Sequence, residues 1–547
     1  MMKKGLFLLL FICYPFMLVF TQPTVGLIQH LPGSTDDGYV LFAPMTSGQT
    51  FLIDKCGRNL HSWSSNYFPG LSTYFLPDGI LLRTANTNNP IFSPGGRGGM
   101  IEKIDWNNNI VWHYQVSDSI FCQHHDVKQM PNGNILVIAW ALKTNAEAIA
   151  AGSIPNILSG FLLSEKIMEI QPLGVDSAAI IWEWHAWDHL IQDFDSTLVN
   201  FGDIAAHPEL IDLNYRATAS EQVDLIHFNS VDYNPQFDQI LVSSLYYNEV
   251  WIIDHSTTTA QAATHSGGNS GKGGDLIYRW GNPYVYGNGT LNDKKLFGQH
   301  SASWIEPGFP MAGDILVFNN GLGRPAGNYS TIDIIVPPVD VNGNYTLTIP
   351  YLPVNSIVKY IAPVPTDFFA KNLSGAQMLD NGNLLICEGQ RGAFFEVDTL
   401  SNVVWRYINP VGPDGPIQQG SIPGNFQVFR CCFYPDNYSG FMSYNISPGD
   451  PLELNPLPNS CFLATGGSII KNDDNVQIFP NPVSDYIYIT SENETYASEM
   501  YDPSGRLVLT AKNQEVISVK DLPNGLYYIS VRLTGKLPVR KKIIVSH

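Results

Sequence analysis

Charge is thin in this chain, and positive charge is thinner still. Only 14% of the 547 residues are charged, and 30 Lys and Arg stand against 49 Asp and Glu for a formal net charge of −19. A nucleic-acid partner needs a basic surface to meet its phosphates, so that class is excluded. A small anionic substrate is not, because a few local donors decide its binding. Cysteine is sparse, at seven. No Cys-x-x-Cys pair or close histidine cluster has metal-ligand spacing, so no structural zinc, other metal or cofactor is expected. There is no cluster of calcium ligands and no pair of catalytic carboxylates. Beyond Phe20 no run is apolar enough to cross a bilayer.

The one long apolar run, Leu6 to Phe20, follows Met1-Met2-Lys3-Lys4. A basic start, a hydrophobic centre and polar residues from Thr21 define a secretory signal peptide over 1–21, short for a spanning helix. The mature chain is expected to be exported. Its cysteines, Cys56, Cys122, Cys387, Cys431, Cys432 and Cys461, then form up to three bridges or stand as buried thiols, and spacing does not choose between these.

What the chain has in plenty is glycine (47), proline (37) and aromatic residues (12%), a composition of strands and turns. Its length exceeds one ordinary domain unless a repeat extends the fold. A repeat is present. An apolar strand recurs as Tyr39-Val40-Leu41-Phe42, Gly79-Ile80-Leu81-Leu82, Asn134-Ile135-Leu136-Val137, Gln239-Ile240-Leu241-Val242, Asp314-Ile315-Leu316-Val317 and Asn383-Leu384-Leu385-Ile386. Most copies continue into an Ile-Asp or Val-Asp pair, a polar turn and a strand ending in tryptophan: Trp63, Trp112, Trp182, Trp280 and Trp405. In the copy after Ile332-Asp333-Ile334-Ile335 the tryptophan has no evident place. Six strand-turn-strand units predict an all-β fold, a six-bladed β-propeller over 22–460, with the tryptophans packing blade on blade. Long insertions at 184–223 and 257–297 and after Asn319 are expected around one mouth of the channel. Trp184 to Ile191 reads as a short packed helix.

Three copies carry a histidine ahead of the apolar strand. His125, His227 and His300 precede a turn proline by six, eight and seven residues. Equivalent positions in a propeller face one axis, so the three are expected to converge. The corresponding residues of two other copies are Leu71 and Ser374. Imidazole near neutrality serves as nucleophile, acid, base or anion donor. The competing reading is that the histidines satisfy strand ends along the channel.

After Trp405 the repeat fades. A linker over 461–475 leads to a second pattern over 476–547. It has Pro480-Asn481-Pro482, alternating Tyr486-Ile487-Tyr488-Ile489, turns at Asp502-Pro503-Ser504-Gly505 and Leu522-Pro523-Asn524-Gly525, and a basic last strand with Arg540, Lys541 and Lys542. Alternation with turns predicts a small antiparallel β-sandwich. These motifs resemble the type A C-terminal sorting domain of the Bacteroidetes type IX secretion system. The resemblance implies passage through periplasm and outer membrane on that machinery, to the cell surface or medium.

The repeat region in turn resembles the arylsulfate sulfotransferase family. The residues that carry this are His227-Phe228-Asn229-Ser230 with Ile240-Leu241-Val242-Ser243-Ser244, His125 ahead of Pro131-Asn132-Gly133, and Gln299-His300 with Asn320-Gly321-Leu322-Gly323-Arg324. The resemblance implies a six-bladed propeller that moves a sulfuryl group from an aryl sulfate to a phenol without a nucleotide donor. It implies His300 as nucleophile, with His125, His227 and Asn229 around the sulfuryl oxygens, and Arg324 and Ser374 as substrate-binding candidates. The family arginine that follows I-L-x-S-S is Leu245 here. That departure motivates the alternative of a surface propeller that binds a ligand or glycan without turnover. A third reading, a quinone-dependent dehydrogenase or lyase on the same fold, lacks supporting ligands. If His300 attacks unprotonated, turnover is expected to fall on acidification through the usual histidine range.

Overall fold

The computed structural model describes residues 24–547 except 156–159, 217–222, 423, 458, 460, 462–475, 492–495, 503–505, 513 and 534–538. The signal peptide read over 1–21, most of the linker read over 461–475, and Pro503, Ser504 and Gly505 of one turn lie outside the described residues. Two compact units are present, one ending at Leu457 and the other beginning at Pro458.

In the first unit, six antiparallel sheets of four or five strands follow one another along the chain. The apolar strands of the repeat are the second strand of each sheet: Gly38–Pro44, Leu81–Asn86, Ile135–Thr144, Gln239–Ser244, Ile315–Asn319 and Leu384–Glu388. They read as unbroken apolar runs because sheet packing buries both of their faces, as with Ile135, Leu136 and Val137. The innermost strands are Pro69–Phe75, Phe121–Gln129, Phe228–Asn234, His300–Trp304, Gly375–Met378 and Val428–Pro435, and they touch one another in cyclic order. Both ends of the first unit close the ring. Val428–Pro435 pairs with Gly38–Pro44 as the inner strand of the first sheet, and Gly26–His30 pairs with Val403–Ile408 as a fifth, outer strand of the last. This is an all-β propeller, as the repeat predicts.

The tryptophans join the sheets. The indole N–H of Trp63 donates to Asp105 O at 3.1 Å, Trp112 to Ser177 O at 2.8 Å, Trp182 to Thr257 Oγ1 at 3.1 Å, Trp280 to Pro353 O at 2.7 Å and Trp405 to Lys55 O at 2.7 Å. Each partner belongs to the next sheet or the segment leading to it. In the fifth sheet the outer strand Ile357–Tyr360 has buried Tyr360 instead, 5.7 Å from the ring of Phe395 in the sixth. Large aromatics with one polar handle suit this seam, because the ring packs while the N–H finds a carbonyl. Trp405→Ala removes a fully buried ring that also carries the Lys55 ammonium 4.7 Å from its centroid. It is expected to destabilise the propeller by about 3–5 kcal/mol, read by denaturant unfolding.

Trp184 to Ile191 contains a 3-10 helix, Ala186–His189, with His189 buried and stacked on Trp184 at 5.6 Å, so it is packed, as expected. Cys122, Cys387 and Cys431 are buried free thiols, Cys432 is a half-buried one, and Cys56 is disulfide-bonded.

The second unit is a sandwich of two antiparallel sheets, with three and four strands. Ile487, Ile489 and Ile517 from one sheet meet Met500, Ile529, Val531 and Ile543 from the other in a single core. Alternation is clean here because each strand has one face inward and one in water. No helix among the described residues is long and apolar enough to cross a membrane.

Candidate active site

The inner strands break their ladders where the histidines sit. Pairing shifts occur within Pro69 to Thr73, opposite Val137 to Ala139, within Phe228 to Val231 and within His300 to Ser303. Within these breaks Leu71, His125 and Ser301 hold left-handed φ of 101°, 50° and 56°; His227, just ahead of its break, holds 58°, and Leu373 and Ser374 hold 59° and 84°. A bulge re-aims a side chain, and left-handed backbone at non-glycine residues collects at functional sites. The histidine signal in the repeat is therefore a backbone device. In the third histidine strand it is offset by one, with His300 directly before the left-handed residue.

His125 and His227 lie with ring centroids 4.8 Å apart. His300 is within electrostatic reach of both, and all three are buried. Each has its Nδ1 engaged. His125 Nδ1 is 2.9 Å from His124 Nδ1, and His227 Nδ1 donates to Asp224 Oδ2 at 2.6 Å. Among the described residues no hydrogen bond reaches the Nε2 of His125 or of His227.

The tautomer of His300 is set by Asn320. The Asn320 amide donates Nδ2 to Ala370 O at 2.8 Å and to Leu373 O at 3.1 Å, which turns its Oδ1 toward His300 Nδ1 at 2.9 Å. Gly298 O lies 3.0 Å from the same nitrogen. Both oxygens only accept, so Nδ1 carries the hydrogen and Nε2 presents a lone pair. Among the described residues only the Leu373 N–H donates to Nε2, at a long 3.3 Å. Burial lowers the His300 pKa to about 4, against the hydrogen bonds from Nδ1, which raise it, with nearby His227 and Arg430 lowering it further. His300 is thus a neutral imidazole over the physiological range. Burial and the neighbouring cation-forming groups also hold His125 well below the usual histidine value.

A glycine loop covers His125. Gly96 O accepts the His125 N–H at 2.7 Å, and a Cβ on Gly96, whose φ is 93°, would fall 1.9 Å from the imidazole. Only glycine allows this approach.

Asn229 is fully buried and donates Nδ2 to Gln299 O at 2.7 Å, tying the histidine strand at 228–234 to the residue before His300. Its Oδ1 has no partner among the described residues. The other two sequence candidates are engaged elsewhere. Arg324 donates to Thr331 Oγ1 at 3.1 Å and stacks on Tyr329 and Phe297. The Ser374 hydroxyl accepts the Gly389 N–H at 3.0 Å. Among the described residues no hydrogen bond joins either to the three histidines. Leu245 donates its N–H to His227 O at 3.1 Å.

Arg430 was not anticipated. It lies on the closing strand Val428–Pro435, donates Nη1 to Asp126 Oδ2 at 2.9 Å and to Tyr74 OH at 2.8 Å, and reaches Asn229 O with Nη2 at 3.3 Å. Its charge acts on both His125 and His300, and its Nε is buried without a partner among the described residues. The run Val428-Phe429-Arg430-Cys431-Cys432-Phe433-Tyr434-Pro435 has the inner-strand form, polar among apolar ahead of a proline. That was the available signal. Beside the histidines, Leu71, Leu373 and Phe429 form an apolar cluster with Met45, and Phe429 stands 5.8 Å from His125.

Fold and site together define a β-propeller in which three buried histidines from separate sheets meet at the inner strands. The family model described as Arylsulfotransferase (ASST) matches residues 46–408, and that described as Secretion system C-terminal sorting domain matches 477–546. The chain belongs to the arylsulfotransferase family, which moves sulfuryl groups, and its tail is a sorting domain that directs export. No curated protein matches it. Among solved structures it is similar to a protein of unknown function from Bacteroides caccae, at 12% identity over 73% of this chain and 98% of that one, TM-score 0.39. Others are virginiamycin B lyase from Staphylococcus aureus, at 11% over 72% and 90%, TM-score 0.30, and the Myceliophteria thermophila Cps50 (Swd1) β-propeller domain, at 9% over 70% and 89%, TM-score 0.33.

Proposed function

We propose that this chain is an exported aryl-sulfate sulfotransferase that carries the sulfuryl group from a phenolic ester to an acceptor phenol on His300 Nε2. The observation that carries the reading is the Asn320-locked tautomer, which leaves a neutral, buried Nε2 lone pair beside two further imidazoles. Sulfuryl transfer resembles phosphoryl transfer in its loose transition state, with charge spread over the equatorial oxygens, so positioning and preorganised polar groups supply the acceleration. His125 faces the sulfuryl oxygens through Nε2, His227 stands beside it with Nδ1 held by Asp224, and Asn229 holds the His300 strand against them. Arg430 supplies the fixed cation that the family arginine, Leu245 here, would have given. A guanidinium charged at every accessible pH suits a sulfate monoester. The apolar cluster of Leu71, Leu373 and Phe429 takes the aryl ring. Arg324 and Ser374 frame the mouth through the loops they hold.

The six sheets act as six blades over 22–460 of the mature protein, and the sandwich over 476–547 docks with type IX secretion machinery. The physiological partners are then an aryl sulfate and a phenol.

Purified protein given p-nitrophenyl sulfate is expected to release nitrophenolate in a phenol-dependent manner. No release from several aryl sulfates would favour instead the binding propeller that Leu245 suggests. The pH profile follows from His300. Its pKa near 4 leaves the nucleophile unprotonated above that value. Turnover from the monoanionic sulfate is expected to stay flat as pH falls from 7 to about 5 and to drop about tenfold per unit below about 4. The acid limb is thereby displaced from the usual histidine range expected from sequence, because burial disfavours the imidazolium. A limb near 6.5 in stopped-flow or steady-state profiles would contradict the assignment.

A further inference from the structure

His125 ends a chain of buried groups that neither the sequence motifs nor the transfer reading uses. His124 is fully buried, stacked on Trp140 at 4.1 Å and 16°, with Nδ1 2.9 Å from His125 Nδ1 and Nε2 2.8 Å from Glu165 Oε2. Glu165 is also fully buried, and its other oxygen accepts the Phe228 N–H at 2.9 Å. Each contact along Glu165, His124 and His125 needs one hydrogen. A hydrogen bond allows one proton per contact, so neutral rings permit two arrangements. In one, protonated Glu165 donates to His124 Nε2, His124 Nδ1 donates to His125 Nδ1, and His125 Nε2 carries a hydrogen. In the other, Glu165 is a carboxylate, His124 donates to it through Nε2, His125 donates to His124 through Nδ1, and His125 Nε2 is a bare lone pair. The two differ by one proton, exchanged at His125 Nε2 and stored on Glu165, and neither contains an imidazolium.

We propose that Glu165, His124 and His125 form a proton relay that gives a proton to the phenolate leaving the donor and takes one back from the acceptor phenol. The proposal rests on the transfer reading above. In the first half-reaction His300 Nε2 bonds to sulfur, the aryl O–S bond breaks with its electron pair on oxygen, and His125 Nε2–H protonates that oxygen. His124 Nδ1–H then passes to His125 Nδ1, and the Glu165 proton to His124 Nε2, leaving the carboxylate. In the second half the acceptor O–S bond forms, the N–S bond returns its pair to His300, and the phenolic proton runs the same path back to Glu165. The cycle has no net proton. Burial, with the Asp224 carboxylate nearby, holds Glu165 well above the ordinary carboxyl range, and burial together with the neighbouring imidazoles holds both histidines well below theirs, which favours the protonated arrangement at rest.

Glu165→Gln separates relay from scaffold. The Phe228 N–H claims the glutamine oxygen, so the amide NH₂ faces His124 Nε2 and fixes the arrangement with His125 Nε2–H in place. A nitrophenolate needs no proton to leave, so the wild-type relay then sheds its proton to water through His125 Nε2, which the amide cannot do, and the emptied relay takes the proton that phenol must lose to attack. Formation of sulfated full-length enzyme from p-nitrophenyl sulfate in a single turnover is expected to stay within about threefold of wild type. Transfer from sulfated enzyme to phenol is expected to slow about 10²-fold or more, and transfer to acidic nitrophenols, already ionised, to be spared. Equal slowing of both halves, or unchanged dependence on acceptor acidity, would overturn the relay. Absence of sulfated enzyme in wild type would instead overturn the transfer reading itself. Should the variant fold poorly by circular dichroism, the wild type decides: transfer to phenol in D₂O mixtures is expected to show a bowed, multi-proton isotope dependence. No isotope effect on that step would overturn the relay equally.

Discussion

His300→Ala is expected to abolish transfer, lowering turnover of an aryl sulfate by on the order of 10⁴-fold or more, since losing the nucleophile of a covalent mechanism removes the pathway. The substitution leaves Asn320 Oδ1 and Gly298 O without their shared donor, a cost of about 1–3 kcal/mol for a buried acceptor. The six-sheet ring does not depend on that contact. Thermal unfolding of the variant close to that of the wild type, with activity gone, is the expected pair of results. A variant that retained a tenth of the wild-type rate would show that sulfur is attacked by another group.

Asn320→Leu is the second large effect. It keeps the approximate volume and removes the acceptor at 2.9 Å that selects the His300 tautomer. Gly298 O, at 3.0 Å, still accepts the Nδ1 hydrogen, so the loss is expected to be about 10²-fold rather than the roughly 10⁴-fold seen when a triad carboxylate is replaced and the wrong tautomer forms. The hydrogen bond from Nδ1 raises the His300 pKa, so its removal moves the acid limb down if at all, and protonation cannot explain the slower rate. Asn320→Asp works in the opposite sense. A carboxylate against Nδ1 favours the imidazolium, so the acid limb is expected to move up toward neutrality. A pH profile of the two variants separates tautomer control from a general packing defect.

The sequence made the frame visible because sheet packing leaves a periodic mark. The Ile-Leu-Val runs are buried on both faces and the tryptophans sit at one seam, so both repeat in the chain. The copy without a tryptophan was opaque because Tyr360 fills that seam with a different ring. The convergence of His125, His227 and His300 was legible from their place ahead of the turn, although the bulges that aim them were not. The pairing slips by two residues at His125 and by one in the strands of His227 and His300, and spacings of six, eight and seven residues to the turn proline were the trace of it.

What the sequence concealed is the material that links remote segments. Arg430 comes from a strand that returns from the end of the propeller to complete its first sheet, outside the regular repeat. Glu165 and Asp224 are ordinary acidic residues in sequence; Glu165 meets His124 across the sheet that holds both their strands, and Asp224 turns back on His227 from three residues before it. Arg324 and Ser374 stood at family-like positions, but local contacts occupy them first.

The central claim is that sulfur is carried on one particular nitrogen. The most direct test mixes the full-length chain with excess p-nitrophenyl sulfate without phenol, then reads intact mass and maps the modified peptide under conditions that preserve N–S bonds. The expected result is a gain of one sulfuryl group, located on His300, discharged by added phenol and missing in His300→Ala. No gain in a chain that still releases nitrophenolate, or a gain that persists in His300→Ala, would contradict it.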